Sequence, residues 1–224
     1  MADIQRSQKN KDLATGLLVV TFLLALSITF FVVSGRSTSL DNAVFDEVAP
    51  HRTPGRTRFM VFISIFGNHL LLIPANFLLL AWFLYKKRKN AAIYIAFVSL
   101  TSLLVMSVIK RLVHRQRPSH SLVDGITNYS FPSGHSFMTV TFYGLLAWWA
   151  WTYTRDKQQK TVLITLLLLF LFTIGFSRIY LQVHYLTDVL AGWSFGACWL
   201  LCSLLITQKW LDKMARRQGG ILEE

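Results

Sequence analysis

Lys110, Arg117 and Arg178 supply three cations, His135 and His184 two imidazoles, and Asp188 a carboxylate four residues after His184. Such a set is suited to transferring a phosphoryl group: the cations hold its oxygens, one histidine attacks phosphorus and the other protonates the departing oxygen. The residues fall in three short clusters: Lys110 with Arg117-Pro118, then Pro132-Ser133-Gly134-His135, then Ser177-Arg178 with His184 and Asp188. Between the clusters the chain is apolar, so the elements that carry them must bring distant segments to one place.

Each cluster has its own logic. Lys110 and Arg117 are seven residues apart, close to two helical turns, and share a face if the helix carrying Lys110 continues that far. Pro118 then favours its end, because the residue before a proline avoids the helical region. Arg111 and Arg115 are given the ordinary reading of solvated basic residues. Ser133 can cap a helix, Gly134 lets the backbone approach an anion at that helix's positive end, and His135 sits in the first turn where its ring can face the anion. His184 and Asp188, at i and i+4, lie on one helical face, where the carboxylate fixes the tautomer and frees the other ring nitrogen. A cationic, histidine-rich membrane edge without acidic compensation is costly unless an anion visits it. Asp124 and Asp188 are the only acidic residues between Lys110 and Asp188 on that side. They do not make a magnesium site, so neither metal nor cofactor is expected.

The positioning elements are membrane helices. The 224 residues are 53% hydrophobic and only 15% charged, too apolar for an ordinary soluble domain. Apolar runs recur at 13–33, 57–85, 91–109, 136–153, 161–176 and 186–206, which predicts six transmembrane helices and an all-α polytopic protein. Residues 1–224 are expected to form a single membrane-embedded domain. The second run would reach about 43 Å against a hydrocarbon core of about 30 Å, so residues 56–67 are expected along the interface, with the true span near 69–85 and Pro74 as a kink. The first run is longer than a signal-peptide core and is read as an uncleaved span. In a six-span chain fourteen Lys and Arg fall on the side of the termini and nine on the other, which predicts cytoplasmic termini. All three clusters then share the extracytoplasmic side.

The remaining features read as ordinary. The formal net charge of +12 sits in short groups that suit membrane orientation and anionic headgroups, not nucleic acid. Cys198 and Cys202 are packing residues; His51, His69, His114 and His120 are loop or interface residues; residues 36–55 form a loop without a readable motif. Trp148, Trp149, Trp151 and Trp210 lie near span ends, as interfacial aromatics do.

The spacings K-x6-R-P, P-S-G-H and S-R-x5-H-x3-D, in that order, resemble the tripartite signature of the type 2 phosphatidic acid phosphatase superfamily, in its integral-membrane lipid phosphatase branch. The resemblance is complete at the defining positions and covers residues 105–192. It implies a metal-independent phosphatase acting on lipid phosphates or diphosphates of the undecaprenyl diphosphate, phosphatidylglycerophosphate, phosphatidic acid or lipid A type. His184 is then the nucleophile that becomes phosphohistidine, Asp188 orients it, and His135 is the general acid. Lys110, Arg117, Ser133, Gly134 and Arg178 hold the phosphoryl oxygens. The expected partners are the lipid phosphate substrate and membrane lipids, with no obligate protein partner. The short loops and absence of sorting signals suggest a bacterial inner membrane with the site facing outward. A lipid phosphotransferase would use the same residues, and an anion or lipid-phosphate transporter is the rival from another class.

Overall fold

The computed structural model describes residues 2–123 and 125–219, with side chains from 11 to 215 except Asp124. Asp124 and the basic side chains of Arg6, Lys9, Arg216 and Arg217, counted above, lie outside the described residues. Every regular element among the described residues is helical: α1 (Ala2–Val33), α2 (Thr38–Val48), a 3₁₀ turn (Ala49–His51), α3 (Pro54–Ile65), α4 (His69–Tyr85), α5 (Lys89–Val113), α6 (Gly134–Tyr153), α7 (Lys157–Tyr180) and α8 (Leu186–Gly219). Polar caps set several starts: Thr53 accepts from Arg56 N, Asn68 from Leu70 N, Ser133 from Ser136 N and Asp156 from Gln159 N.

Five segments are long and apolar enough to cross a bilayer: 11–33, 54–85, 89–113, 157–180 and 186–215. Leu78 and Leu100 turn 73% and 72% of their surface outward, and outward-facing leucines on such helices meet lipid. The chain is an integral membrane protein. α6 falls short of the five by composition, with His, Ser, Thr, Trp and Tyr among its apolar residues, and it also occupies a different place. It packs between α7 and α8 and touches α4 and α5, so it buries Ser136, Thr139 and Thr141 beside Phe137 and Leu145. A central helix exchanges lipid contact for protein contact and tolerates hydroxyls that bond back to its own carbonyls, as Thr139 does to Ser136 O.

Glycines on α8 bring α6 close. A methyl group on Gly192 would stand 2.7 Å from the Ser133 carbonyl oxygen, and one on Gly196 would stand 2.9 Å from that of Phe137. The two backbones therefore meet directly across a small-xxx-small stripe. This fixes the Pro132–His135 corner against the helix that carries Asp188, and Ser133 N donates to Asp188 O at 2.9 Å.

The long second run divides at residues 66–68, between α3, which leans on α7, and α4, which packs on α5; Pro74 lies inside α4. Two expectations need correction. Residues 36–55 are not an unstructured loop, since most of them form α2 and the 3₁₀ turn. The helix carrying Lys110 does not continue to Arg117: His114 takes a left-handed conformation (φ 52°) and ends α5 at Val113, four residues before Arg117.

Candidate active site

The three clusters meet at one end of the bundle. They surround a cavity of about 480 Å³ lined by Lys110, Arg117, Gly134, His135, Arg178 and His184, with His69, Asn128, Met106 and Met138 also on its wall. The cations differ in how they are held. The Lys110 ammonium, at the end of α5, donates to the carbonyl oxygens of Tyr129 and Ser130. Arg117 is gripped on all sides: Nε donates to Asn128 O at 2.7 Å, Nη2 to Asn128 Oδ1 at 2.5 Å and Nη1 to Val183 O at 2.6 Å. Burial lowers its pKa below the usual arginine value, and only the Asp188 charge pulls the other way. Arg178, near the end of α7, is 4% exposed, and its Nε has no hydrogen-bond partner among the described residues. A guanidinium in that state has donors left over for an anion.

His184 lies in the turn between α7 and α8, 2% exposed. Arg117 Nη1 approaches its Nε2 at 3.3 Å, and because a guanidinium only donates, Nε2 is the acceptor and the ring hydrogen sits on Nδ1. Burial, with help from the Arg117 charge, pushes the pKa of His184 down to about 3 despite the opposing pull of Asp188, so the resting ring is neutral. Nδ1 faces Ser130 Oγ at 3.3 Å and Asp188 Oδ2 at 3.6 Å, while Ser130 Oγ donates to Asp188 Oδ2 at 2.5 Å. Asp188 thus reaches the imidazole partly through Ser130. Its Oδ2 also accepts from Tyr185 N at 2.9 Å, which locks the carboxylate to the turn.

Behind the dyad, Arg115 is clamped between two carboxylates. Nη1 donates to Asp188 Oδ1 at 2.7 Å and Nη2 to Asp41 Oδ2 at 2.6 Å. Burial opposes the charge on Arg115, but Asp188 and Asp41 outweigh it and raise its pKa above the ordinary value. The Tyr185 ring covers the guanidinium carbon at 4.0 Å.

His135 faces the cavity from the first turn of α6, and the α3–α4 break accommodates it. A methyl group on Gly67 would lie 2.6 Å from Ile174 Cγ2 and 3.1 Å from His135 Cδ2, so only glycine fits at that break. Gly134 meets no such limit within the protein: a methyl group there would touch Met106 and Lys110 at ordinary distances of 3.7–3.9 Å, and its bareness leaves cavity space beside the helix amides. Ser133 is fully buried and caps α6, accepting from Ser136 N at 3.4 Å and Ser136 Oγ at 3.0 Å.

Known proteins resemble this chain. The family model of the PAP2 superfamily matches residues 91–212, more than half of the chain. The chain belongs to the PAP2 superfamily. A phosphatidylglycerophosphatase B of Bacillus subtilis is 28% identical over 180 residues, covering 80% of this chain and 88% of its own. An undecaprenyl-diphosphatase of Sulfolobus acidocaldarius is 26% identical, over 81% and 85% of the two chains. The crystal structure of a transmembrane PAP2-type phosphatidylglycerolphosphate phosphatase from B. subtilis superposes with a TM-score of 0.78 at 26% identity, over 86% of this chain and 96% of that one.

In this PAP2 chain, Lys110, Arg117, Gly134, His135, Arg178 and His184 share one cavity, with Asp188 behind His184 and Ser133 beneath the corner as a cap. Sequence reasoning missed four residues. Arg115 was given a solvated role and is instead the centre of an ion network. Asp41, in the segment without a motif, supplies acidic compensation that the basic edge was thought to lack. Ser130 bridges the dyad, and His69 lines the cavity. An R-x-R-P spacing is the signal that could have pointed to Arg115; Asp41, close to Asp46 and Glu47, carries no such signal.

Proposed function

We propose that this chain removes the terminal phosphate of a lipid phosphate or diphosphate by way of a phosphohistidine on His184. The observation that carries this reading is the neutral His184 ring, whose unprotonated Nε2 stands beside Arg117 on the wall of the cavity that also holds Arg178 and His135. The names of the B. subtilis and Sulfolobus relatives favour the same substrate class.

In the first half-reaction Nε2 attacks phosphorus, the bond to the leaving oxygen breaks, and His135 gives that oxygen its proton. Lys110, Arg117, Arg178 and the amides at Gly134 take up the charge on the equatorial oxygens. The imidazole gains positive charge as the P–N bond forms, and Asp188 offsets it from the Nδ1 side. In the second half-reaction water attacks the phosphohistidine, His135 accepts its proton, and the P–N bond breaks to release inorganic phosphate.

The chain then works as one membrane-embedded unit of six crossings, α1, α3–α4, α5, α6, α7 and α8, with both termini cytoplasmic. The basic runs at 86–89 and 155–160 support that orientation; several of their cations lie over interfacial aromatics, Lys86 over Trp82 at 4.8 Å, Arg88 over Tyr153 at 5.7 Å and Lys160 over Trp151 at 5.2 Å. The cavity faces the exterior of a bacterial inner membrane, where the headgroup can enter while the tail stays in the leaflet.

The test is release of inorganic phosphate in EDTA by the detergent-purified protein. The panel comprises phosphatidic acid, phosphatidylglycerophosphate, polyprenyl diphosphates and lipid A phosphates, with His184→Ala as control. His184-dependent release and an alkali-stable, acid-labile phosphoenzyme are expected. Normal turnover by His184→Ala would refute the nucleophile assignment.

A further inference from the structure

Asp41 is fully buried, lies outside the stretch matched by the family model, and makes no contact with the cavity wall that the mechanism uses. It is nonetheless tied into the site. Its carboxylate accepts from Arg115 Nη2 at 2.6 Å, from Thr187 N at 3.0 Å and from Thr187 Oγ1 at 2.8 Å. Thr187 Oγ1 in turn accepts from Arg115 Nη1 at 2.8 Å, and Ser37 Oγ accepts from Nη2 at 3.2 Å.

Counting charges shows what this does. If Asp188 were the only carboxylate on Arg115, the two would form a closed neutral pair, and little negative potential would reach His184. The guanidinium instead serves two carboxylates through different nitrogens, so the three groups carry a net negative charge directly behind the imidazole. That charge is needed when the P–N bond forms and the Nδ1-protonated ring becomes cationic, next to Lys110, Arg117 and Arg178. Burying an extra carboxylate and a guanidinium is not a natural way to fasten α2 to α8, since well-packed neutral residues do that at least as well.

We propose that Asp41 is a positioning residue for phosphoryl transfer: by holding one side of Arg115, it keeps the charge of Asp188 directed at His184. The proposal rests on the phosphohistidine reading above. Thr187 carries the geometry, because one residue bonds Asp41 through both its amide and its hydroxyl and immediately precedes Asp188 on α8.

The experiment compares full-length Asp41→Asn, Arg115→Gln and the double variant with wild type, measuring phosphoenzyme formation in a single turnover of a labelled lipid phosphate, KM and the thermal midpoint. Asp41→Asn keeps the shape and can keep the Thr187 bonds on its remaining oxygen, but it removes the charge and the hydrogen bond accepted from Arg115. It should slow phosphoenzyme formation by about 10- to 100-fold with KM changed by less than about threefold. In the Arg115→Gln background it should cost little further, since Asp188 is then no longer shared with a guanidinium and keeps its charge towards His184 whether or not the more distant Asp41 is ionised. If Asp41→Asn alone does not fold, the double variant should still match Arg115→Gln within about twofold. A lowered midpoint with an unchanged rate, or losses that multiply in the double variant, would overturn the proposal and leave Asp41 a structural tie. A wild-type protein that hydrolyses lipid phosphate without any His184-dependent phosphoenzyme would instead sink the phosphohistidine reading, and this inference with it.

Discussion

Replacing Arg178 should make the empty protein more stable and the enzyme nearly inactive. Its guanidinium is 4% exposed, has no ion-pair partner among the described residues and leaves Nε without a hydrogen bond. Burying an unpaired charge costs several kcal/mol, part of which is recovered by hydration from the cavity, so Arg178→Met should stabilise the ligand-free protein by about 1–3 kcal/mol. At about 2–4 °C per kcal/mol for a chain of this size, the midpoint rises by roughly 2–12 °C. The same change removes charge-assisted hydrogen bonds from the developing phosphorane, which should lower kcat/KM by about 10²- to 10³-fold. The ligand response should invert as well. An oxyanion such as orthovanadate at about a hundred times its Kd adds about 2.7 kcal/mol to the wild type. It should add little to the variant. Thermal melts in detergent with and without orthovanadate, alongside kinetics on a short-chain lipid phosphate, read both effects. A variant that melts below wild type without ligand, or that keeps the full vanadate shift, would refute the claim that Arg178 is held in waiting for phosphate.

Two further perturbations test the scaffold and the nucleophile. Gly192→Ala would place a methyl group 2.7 Å from Ser133 O and 2.8 Å from Ser136 Cβ, so α6 must move away from α8; a loss of about 1–3 kcal/mol and a fall in kcat are expected, whereas Gly55→Ala, with nothing within 4 Å, should be silent in the same melts and assays. His184 titrates near 3 when folded against about 6.5 unfolded, so the unfolded chain takes up a proton that the folded one refuses. The stability His184 contributes is therefore complete above about pH 6.5 and is lost as pH falls towards 3, and wild type should lose stability over that window more steeply than His184→Gln; parallel pH–stability curves would contradict the buried neutral ring.

What was legible in the sequence was the chemistry that is local. His184 and Asp188 announce themselves by their four-residue spacing, Ser133 and Gly134 by the grammar of a helix start, and the apolar runs by their length. The shared helical face expected of the pair needs correction: α8 begins at Leu186, so His184 stands in the turn before it, and the bonds of Asp188 to Ser130 and Tyr185 N, not helix geometry, bring the carboxylate to the ring. What was hidden depends on distance. Arg111 and Arg115 look alike along the chain, yet Arg111 is exposed while Arg115 meets a carboxylate 74 residues away on α2. Ser130 resembles any loop serine until the loop folds it between His184 Nδ1 and Asp188 Oδ2. The helix end at His114 escaped notice because nothing in its type forbids another turn; its left-handed backbone is chosen by the path that carries Arg117 to Val183 O and Asn128. α6 shows the converse case: it buries Ser136, Thr139 and Thr141 because α7 and α8 flank it.

The unequal treatment of the three motif cations has a mechanistic reason. Arg117 is fixed by Val183 and Asn128 carbonyls and touches Nε2, so on the proposed mechanism it covers the lone pair until phosphorus arrives. Lys110 is anchored to Tyr129 and Ser130 carbonyls, the same turn whose serine holds Asp188. Both are oriented before substrate enters, so little reorganisation is left for the transition state. Arg178 alone is left unpaired. Its backbone carbonyl accepts from Val183 N and His184 N, which ties the waiting cation to the turn that presents the nucleophile. On the proposed mechanism, an anion that satisfies Arg178 binds against the turn that carries His184, on the wall of the same cavity.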